Sequence, residues 1–128
     1  MERRNFDDAL VGVALVGVTE RERGTIVRAN RALADLVARM PAELVGISFC
    51  ELVHPDDRGY AGEEFGTLCE GAARACEGEG RLVAADGRVC WVRAHAGLFP
   101  GDGAARAVVM IRLTQIAELR AHSGWRGR

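Results

Sequence analysis

The chain has no lysine. All 17 of its basic residues are arginine, set against 18 acidic ones, for a formal charge of −1. A balance so close to zero excludes the basic field that nucleic acid or an anionic membrane would need as a partner. Arginine used alone, with abundant alanine and 16 glycines, reads as the codon bias of a GC-rich bacterial genome. Aromatic residues are scarce at 5%, too few to line a site for FAD. No apolar run approaches the ~18 residues that cross a bilayer, and no leader pattern opens the chain. A cytoplasmic location is therefore expected. Four cysteines, Cys50, Cys69, Cys76 and Cys90, form no CxxC pair; they imply neither a zinc site nor a disulfide framework and read as reduced, buried small hydrophobes. A glycine-rich phosphate cradle and a serine elbow are also missing.

What is present suits one globular domain: 128 residues, 48% apolar and 27% charged. One stretch organises the rest. Pro41 to Arg58, PAELVGISFCELVHPDDR, reads as a short apolar helix, a sharp corner and a new helix starting at Pro55. Proline is tolerated in a first helical turn, and the carboxylates of Asp56 and Asp57 suit the positive end of that helix.

Before this corner, Phe6, Ala9 and Leu10 sit at helical spacing. Leu10 to Val18 and Thr25 to Arg28 then form a hairpin. Asn30 is placed to cap a helix carrying Leu33, Leu36, Val37 and Met40, which Pro41 stops. After the corner, a glycine-weakened helix is expected from Pro55 to about Cys76, with Glu63, Glu64 and Glu70 on its solvated face. The last third changes period. Arg81 to Ala84 and Val89 to Phe99 flank an Asp86-Gly87 two-residue hairpin turn, and a final strand runs from Ala105 to Thr114 after a reversal at Pro100 to Gly103. Inward positions such as Ala94, Ala96, Ala107 and Gly12 are small, which leaves room for a cavity. The fold class is α+β, a five-stranded antiparallel sheet with helices packed on one face.

Several elements stand in an order that carries a family likeness. They are Gly12-Val13, Gly24-Thr25-Ile26 followed by Asn30, Glu43-Leu44-Val45-Gly46, His54-Pro55-Asp56-Asp57-Arg58, and Asp86-Gly87-Arg88 with Trp91-Val92. The chain resembles a PAS domain over about Phe6 to Ala117. The resemblance divides it into an N-terminal helical cap (1–10), a PAS-like core (11–114) and the start of a C-terminal output helix or linker (115–128). It implies a sensory and dimerising module joined to an effector such as a histidine kinase, a diguanylate cyclase or a transcription regulator. Members usually end the last strand in Asp-Ile-Thr. Here Arg112-Leu113-Thr114 lacks that acidic coupling residue, although Thr114 is still expected to cap a helix from Gln115 to Ala121.

The candidate chemistry is sparse. Covalent flavin binding would require an Asn-Cys-Arg-Phe-Leu-Gln run, and Gly46 to Glu51 does not match it. A haem-binding member would carry a histidine on the long helix, which has none. No cofactor is expected, with flavin and haem disfavoured. His54 is read as a backbone cap and His95 as facing solvent or a partner. His54, Asp56 and Asp57 look like a catalytic cluster, but adjacent residues diverge by about 100° in a helix. The competing class is a small cone-shaped α+β isomerase or hydratase, which needs an acid or base pointing inward from a strand. The residues assigned to a pocket for a small apolar metabolite are Val13, Leu15, Phe49, Leu52, Phe65, Leu68, Cys69, Cys90, Val92, Ala94, Val109 and Ile111. A homodimer surface is assigned to Phe6, Ala9, Leu10, Trp91, Val108 and Met110.

Overall fold

A computed structural model describes residues 11–99, 107–116 and 126–127. Two β-rich stretches open the described chain. Strand β1 (Gly12–Gly17) turns back into β2 (Ile26–Ala29), and the reversal is closed by Gly17 N–H donating to Thr25 O at 2.8 Å and Gly24 N–H to Gly17 O at 3.0 Å. Helices α1 (Arg31–Leu36) and α2 (Pro41–Leu44), a 3-10 turn at Phe49–Leu52 and a second at Pro55–Asp57 lead into α3 (Arg58–Cys69). Three long strands follow: β3 (Ala75–Val83), β4 (Val89–Phe99) and β5 (Val108–Gln115).

The sheet order is β2-β1-β5-β4-β3, and every neighbouring pair is antiparallel. The expected α+β fold with a five-stranded antiparallel sheet is what the chain forms. A short sixth strand, β6 (Arg126–Gly127), extends the far edge by pairing with Gly78 and Glu79. One sheet face is buried under the helices. Its residues Ala14, Val16, Leu82, Cys90, Val92, Val109, Ile111 and Leu113 join Leu33, Val37, Leu44, Phe49, Leu52 and Leu68 in one core. Burying large aliphatic side chains of this kind stabilises the fold by about 1.5–3 kcal/mol each.

Several boundaries differ from the sequence reading, each for a local reason. Helix α1 ends at Leu36, not Met40. Ala38 takes a left-handed backbone at φ 56, so Arg39 N–H reaches back to Ala34 O at 3.0 Å, a Schellman-type stop. Met40 is left 65% exposed, and Pro41 opens α2 instead of stopping α1. Helix α3 ends at Cys69 because Gly71 sits at φ +79; Ala75 and Cys76, read as the end of that helix, begin strand β3, which starts six residues before the expected Arg81. The turn at Asp86-Gly87 holds one residue more than expected: Gly87 N–H bonds Ala84 O at 2.9 Å and Ala84 N–H bonds Arg88 O at 2.8 Å. Strand β5 continues through Gln115, so Thr114 lies inside a strand and caps no helix. Arg126–Gly127, read as linker, are paired strand. The expected N-terminal helix and the Pro100 to Gly103 reversal lie outside the described residues.

Candidate ligand cavity between helix α3 and the sheet

The corner holds the helices at a fixed distance from the sheet. Ser48 Oγ accepts from Cys50 N–H at 3.2 Å and starts the first 3-10 turn, which turns Phe49 and Leu52 inward. Val53 then bridges Leu82 at the edge of β3, and His54 N–H donates to Arg81 O at 3.0 Å. His54 Nδ1 accepts from Asp56 N–H at 3.1 Å, the capping role expected for it.

Asp57 does something the sequence reading missed. Its side chain is fully buried and makes no cap bond at the start of α3. It accepts instead from Arg81 at three points: backbone N–H at 2.9 Å, Nε at 3.1 Å and Nη2 at 2.7 Å. These bonds hold the Arg81 guanidinium still more firmly protonated than usual. The same guanidinium lies over the Trp91 ring, 5.1 Å from its centroid. One carboxylate therefore ties the start of α3 to β3, and through Arg81 to the outer sheet face.

Helix α3 leaves this corner with Tyr60, Ala61, Glu64, Phe65 and Leu68 turned to the sheet, the i, i+4 stripe of an α-helix. The sheet beneath presents small side chains: Gly78 on β3, and Ala94 and Ala96 on β4. The helix cannot fill the hollow these leave. A cavity of about 100 Å³ remains, partly open to solvent, with Val16, Phe49, Cys50, Cys76 and Ile111 at its sides. Its wall is almost entirely carbon and sulfur.

Of the residues assigned to a pocket from sequence, Phe49, Phe65, Leu68, Ala94 and Ile111 line this cavity. Leu52, Cys90, Val92 and Val109 are buried in the solid core beside it. Cys69 is half-buried away from the lining. Val13 and Leu15 are placed differently from the assignment: β1 meets the cavity through Val16, and alternation puts Val13 and Leu15 on the opposite face. Both faces of β1 are apolar, so period alone could not choose between them. The dimer-surface residues Phe6, Ala9 and Leu10 lie outside the described residues. Val108 and Met110 are half-buried on the outer face, and Trp91 there is covered in part by Arg81. The outer face also carries an open hollow of about 630 Å³ along Ala75, Glu77, His95, Gly97, Phe99, Met110 and Arg112, with His95 Nδ1 3.6 Å from Glu77 Oε1.

Glu64, read as a solvated charge, is instead half-buried and among the residues that line the cavity. Burial, and after it the Glu64 charge and hydrogen bond, push the Cys76 pKa from 9.0 up to about 11. Burial also raises the Cys50, Cys69 and Cys90 thiols. Between about pH 9 and pH 11 an unfolded chain would carry a Cys76 thiolate while the folded one keeps the thiol, so its contribution to stability falls as pH rises through that window. Alkylation of Cys76 by iodoacetamide, read by mass spectrometry, is expected to stay slow at pH 8.5 and to accelerate only towards pH 11. Rapid modification at pH 8 would show that the thiol is not held in this way.

Of the strand residues around the cavity, Val16, Gly78, Ala94, Ala96 and Ile111 carry no acid or base and Cys76 only its raised thiol, while Glu77 is exposed with its carboxylate beside His95 on the outer face, so the isomerase reading is not favoured. The family model for the PAS fold matches residues 26–112. The chain belongs to the PAS family. Solved PAS domains share its shape: one from Colwellia psychrerythraea superposes with a TM-score of 0.76 at 17% identity, covering 90% of this chain and 93% of that one. The PAS domain of a LuxR-family transcriptional regulator from Burkholderia thailandensis, solved in complex with ethanol, gives 0.69 at 20%, covering 91% and 97%. A domain of a sensory box sensor histidine kinase/response regulator from Geobacter sulfurreducens gives 0.69 at 19%, covering 87% and 89%. At these identities the likeness is one of fold. No curated protein matches the chain at a significant level. PAS domains are in general non-catalytic sensory modules of signalling proteins, commonly found with effector domains and commonly dimeric. No helix among the described residues is long and apolar enough to cross a membrane.

Proposed function

We propose that this PAS domain is a non-catalytic sensor that takes a small apolar molecule between α3 and the sheet and passes the change to a C-terminal effector. The observation that carries this reading is the carbon-lined cavity of about 100 Å³. Apolar cavities of about 150 Å³ stay dry and accept benzene or xenon, so this one suits a guest of a few non-hydrogen atoms. The size of the cavity supports a small guest over flavin or haem, since pockets for ligands of drug size or larger start at about 300 Å³, and no histidine or arginine lines this one. The Burkholderia relative in complex with ethanol supports a small guest. The module works as a homodimer in the cytoplasm, with residues 11–114 as the sensing core, 1–10 as its cap and 115–128 leading to the effector.

The test uses cyclopentane as probe and Ala94→Leu as the blocking variant. Ala94 lies opposite Gly78, so a leucine there has room to fill the void. Adding three carbons at about 0.8 kcal/mol each, less some strain, should stabilise the ligand-free variant by about 1 kcal/mol. That corresponds to a Tm rise of roughly 4 °C. Saturating cyclopentane should raise the wild-type Tm by about 3 °C and leave the variant unmoved. Equal shifts in both proteins, or none in either, would count against the cavity as the sensing site.

A further inference from the structure

We propose that the open edge of β3, from Ala75 to Glu79, docks an extended, arginine-bearing segment of a partner protein as an added antiparallel strand. This goes beyond the sensor reading and does not depend on the cavity holding a guest.

Strand β3 forms the edge of the five-stranded sheet, and Arg81 shows which of its residues turn outward. Arg81 N–H donates to Asp57 Oδ2 at 2.9 Å and its carbonyl accepts from His54 N–H at 3.0 Å, so neither group faces β4. Alternation along the strand then turns the N–H and C=O of Glu79, Glu77 and Ala75 to the same free side. In agreement, Arg74 O, in the other phase, accepts from Leu98 N–H of β4 at 3.2 Å. The edge is covered at Leu82 by a bridge to Val53 and at Gly78 and Glu79 by β6. Among the described residues nothing pairs with it at Ala75 and Glu77, and both are exposed. The opposite edge differs: Ile26 N–H donates to Ile47 O at 2.9 Å, and Gly46 N–H to Ile26 O at 2.8 Å. β3 also has no proline, lysine or bulge to blunt it, since its register with β4 runs unbroken from Ala75 to Val83. Such an edge is a template for a further strand.

The short strand β6 indicates the chemistry of the occupant. Arg126 stands opposite Glu79 and Gly127 opposite Gly78. In that register the third position of an added Arg-Gly-Arg segment falls opposite Glu77. Glu79 is already held by Arg93, through Nε at 3.1 Å. Among the described residues the Glu77 carboxylate has His95 Nδ1 at 3.6 Å, too far for a hydrogen bond, so Glu77 is the group left to select a cation. An arginine opposite it gains a cross-strand charge pair. A second copy of β3 makes a poor occupant, because pairing two such edges sets Glu77 and Glu79 against carboxylates of the same kind.

The probe is the peptide acetyl-RGRVT-amide, titrated into the full chain and followed by amide NMR. It should bind with a Kd of about 0.1–1 mM and shift the Ala75 and Glu77 amides most, leaving Ile26 on the opposite edge in place. Methylating the backbone nitrogen of its third residue, which faces Glu77, should weaken binding about tenfold or more, whereas methylating the fourth, which turns away from the edge, should cost less than about threefold. Acetyl-EGEVT-amide should bind at least about tenfold more weakly than the arginine peptide. Arg126→Pro takes a donor out of β6, which shares Glu79 with the peptide, and should tighten the peptide about threefold. Equal binding of the arginine and glutamate peptides would overturn the charge selection. Equal effects of the two methylations, largest shifts away from β3, or an Arg126→Pro chain that binds no tighter would overturn the added strand. No binding at about 5 mM peptide would remove the docking site altogether, whatever cyclopentane does in the cavity.

Discussion

Asp57→Ala is expected to destabilise the domain by about 3 kcal/mol, the low end of the cost of breaking a buried ion pair. The Asp57 side chain is 0% exposed and that of Arg81 17%. Removing the carboxylate leaves the Arg81 backbone N–H and two guanidinium donors without their acceptor. The partial exposure of Arg81 lets its head group recover some water, which is why the loss stays near the low end. Asp57→Asn keeps an acceptor for the backbone N–H and should cost roughly half as much. In a double-mutant cycle with Arg81→Ala, urea unfolding should return a coupling of about 2 kcal/mol or more. A loss below about 1 kcal/mol for Asp57→Ala would mean that the pair is not formed as described.

The second large effect belongs to Asn30. This residue is wholly buried, and its side chain does more than cap α1. Oδ1 accepts from Leu33 N–H at 3.0 Å and from Val13 N–H at 2.8 Å, and Nδ2 donates to Val11 O at 2.9 Å. The amide thus extends the β1–β2 ladder beyond the last residue of β2. Asn30→Ala removes a cap worth about 1 kcal/mol and leaves a buried Val13 N–H unsatisfied at about 1–3 kcal/mol. The expected loss is about 3 kcal/mol, measured by chemical denaturation. Asn30→Asp keeps both acceptor bonds but turns an acceptor towards Val11 O, and should fall between the two. If Asn30→Asp matched the wild type, the Nδ2 bond would contribute nothing.

Much of the fold was legible because local chemistry and period agreed. β4 and β5 alternate cleanly, Asp86-Gly87 marks a turn, Asn30 sits at a strand–helix junction, and Pro55 can only begin a helix. The first half of β3 was illegible for the opposite reason. Ala75 to Gly80 reads ACEGEG, with low strand propensity; it is held extended by pairing along β4, a non-local cause that no local pattern shows. The cavity was legible as an expectation from the small residues Ala94 and Ala96, but its walls were only partly so. β1 is apolar on both faces and gave no choice between Val13 and Val16. Glu64 and Asp57 were assigned by charge alone to solvent and to a helix end. The place of Asp57 depends on Arg81, a partner 24 residues away in the chain, and that of Glu64 on the sheet that α3 packs against.

Asp57, Arg81 and Trp91 also suggest how occupancy could be felt outside the cavity. Asp57 starts α3, Arg81 stacks on Trp91, and Trp91 O accepts from Ile116 N–H at 2.9 Å, where the chain leaves β5. The cavity wall and the C-terminal exit are joined by these few contacts.

The central claim is that the apolar hollow between α3 and the sheet admits a guest. Methyl-detected NMR under xenon pressure tests it most directly, since xenon needs only an apolar space of sufficient size. The methyl groups of Ala94, Ala96, Leu68 and Ile111 should shift with a saturable dependence on xenon, while that of Met110 on the outer face stays in place. A linear, non-saturating drift at all of them, or saturable shifts confined to the outer face, would contradict it.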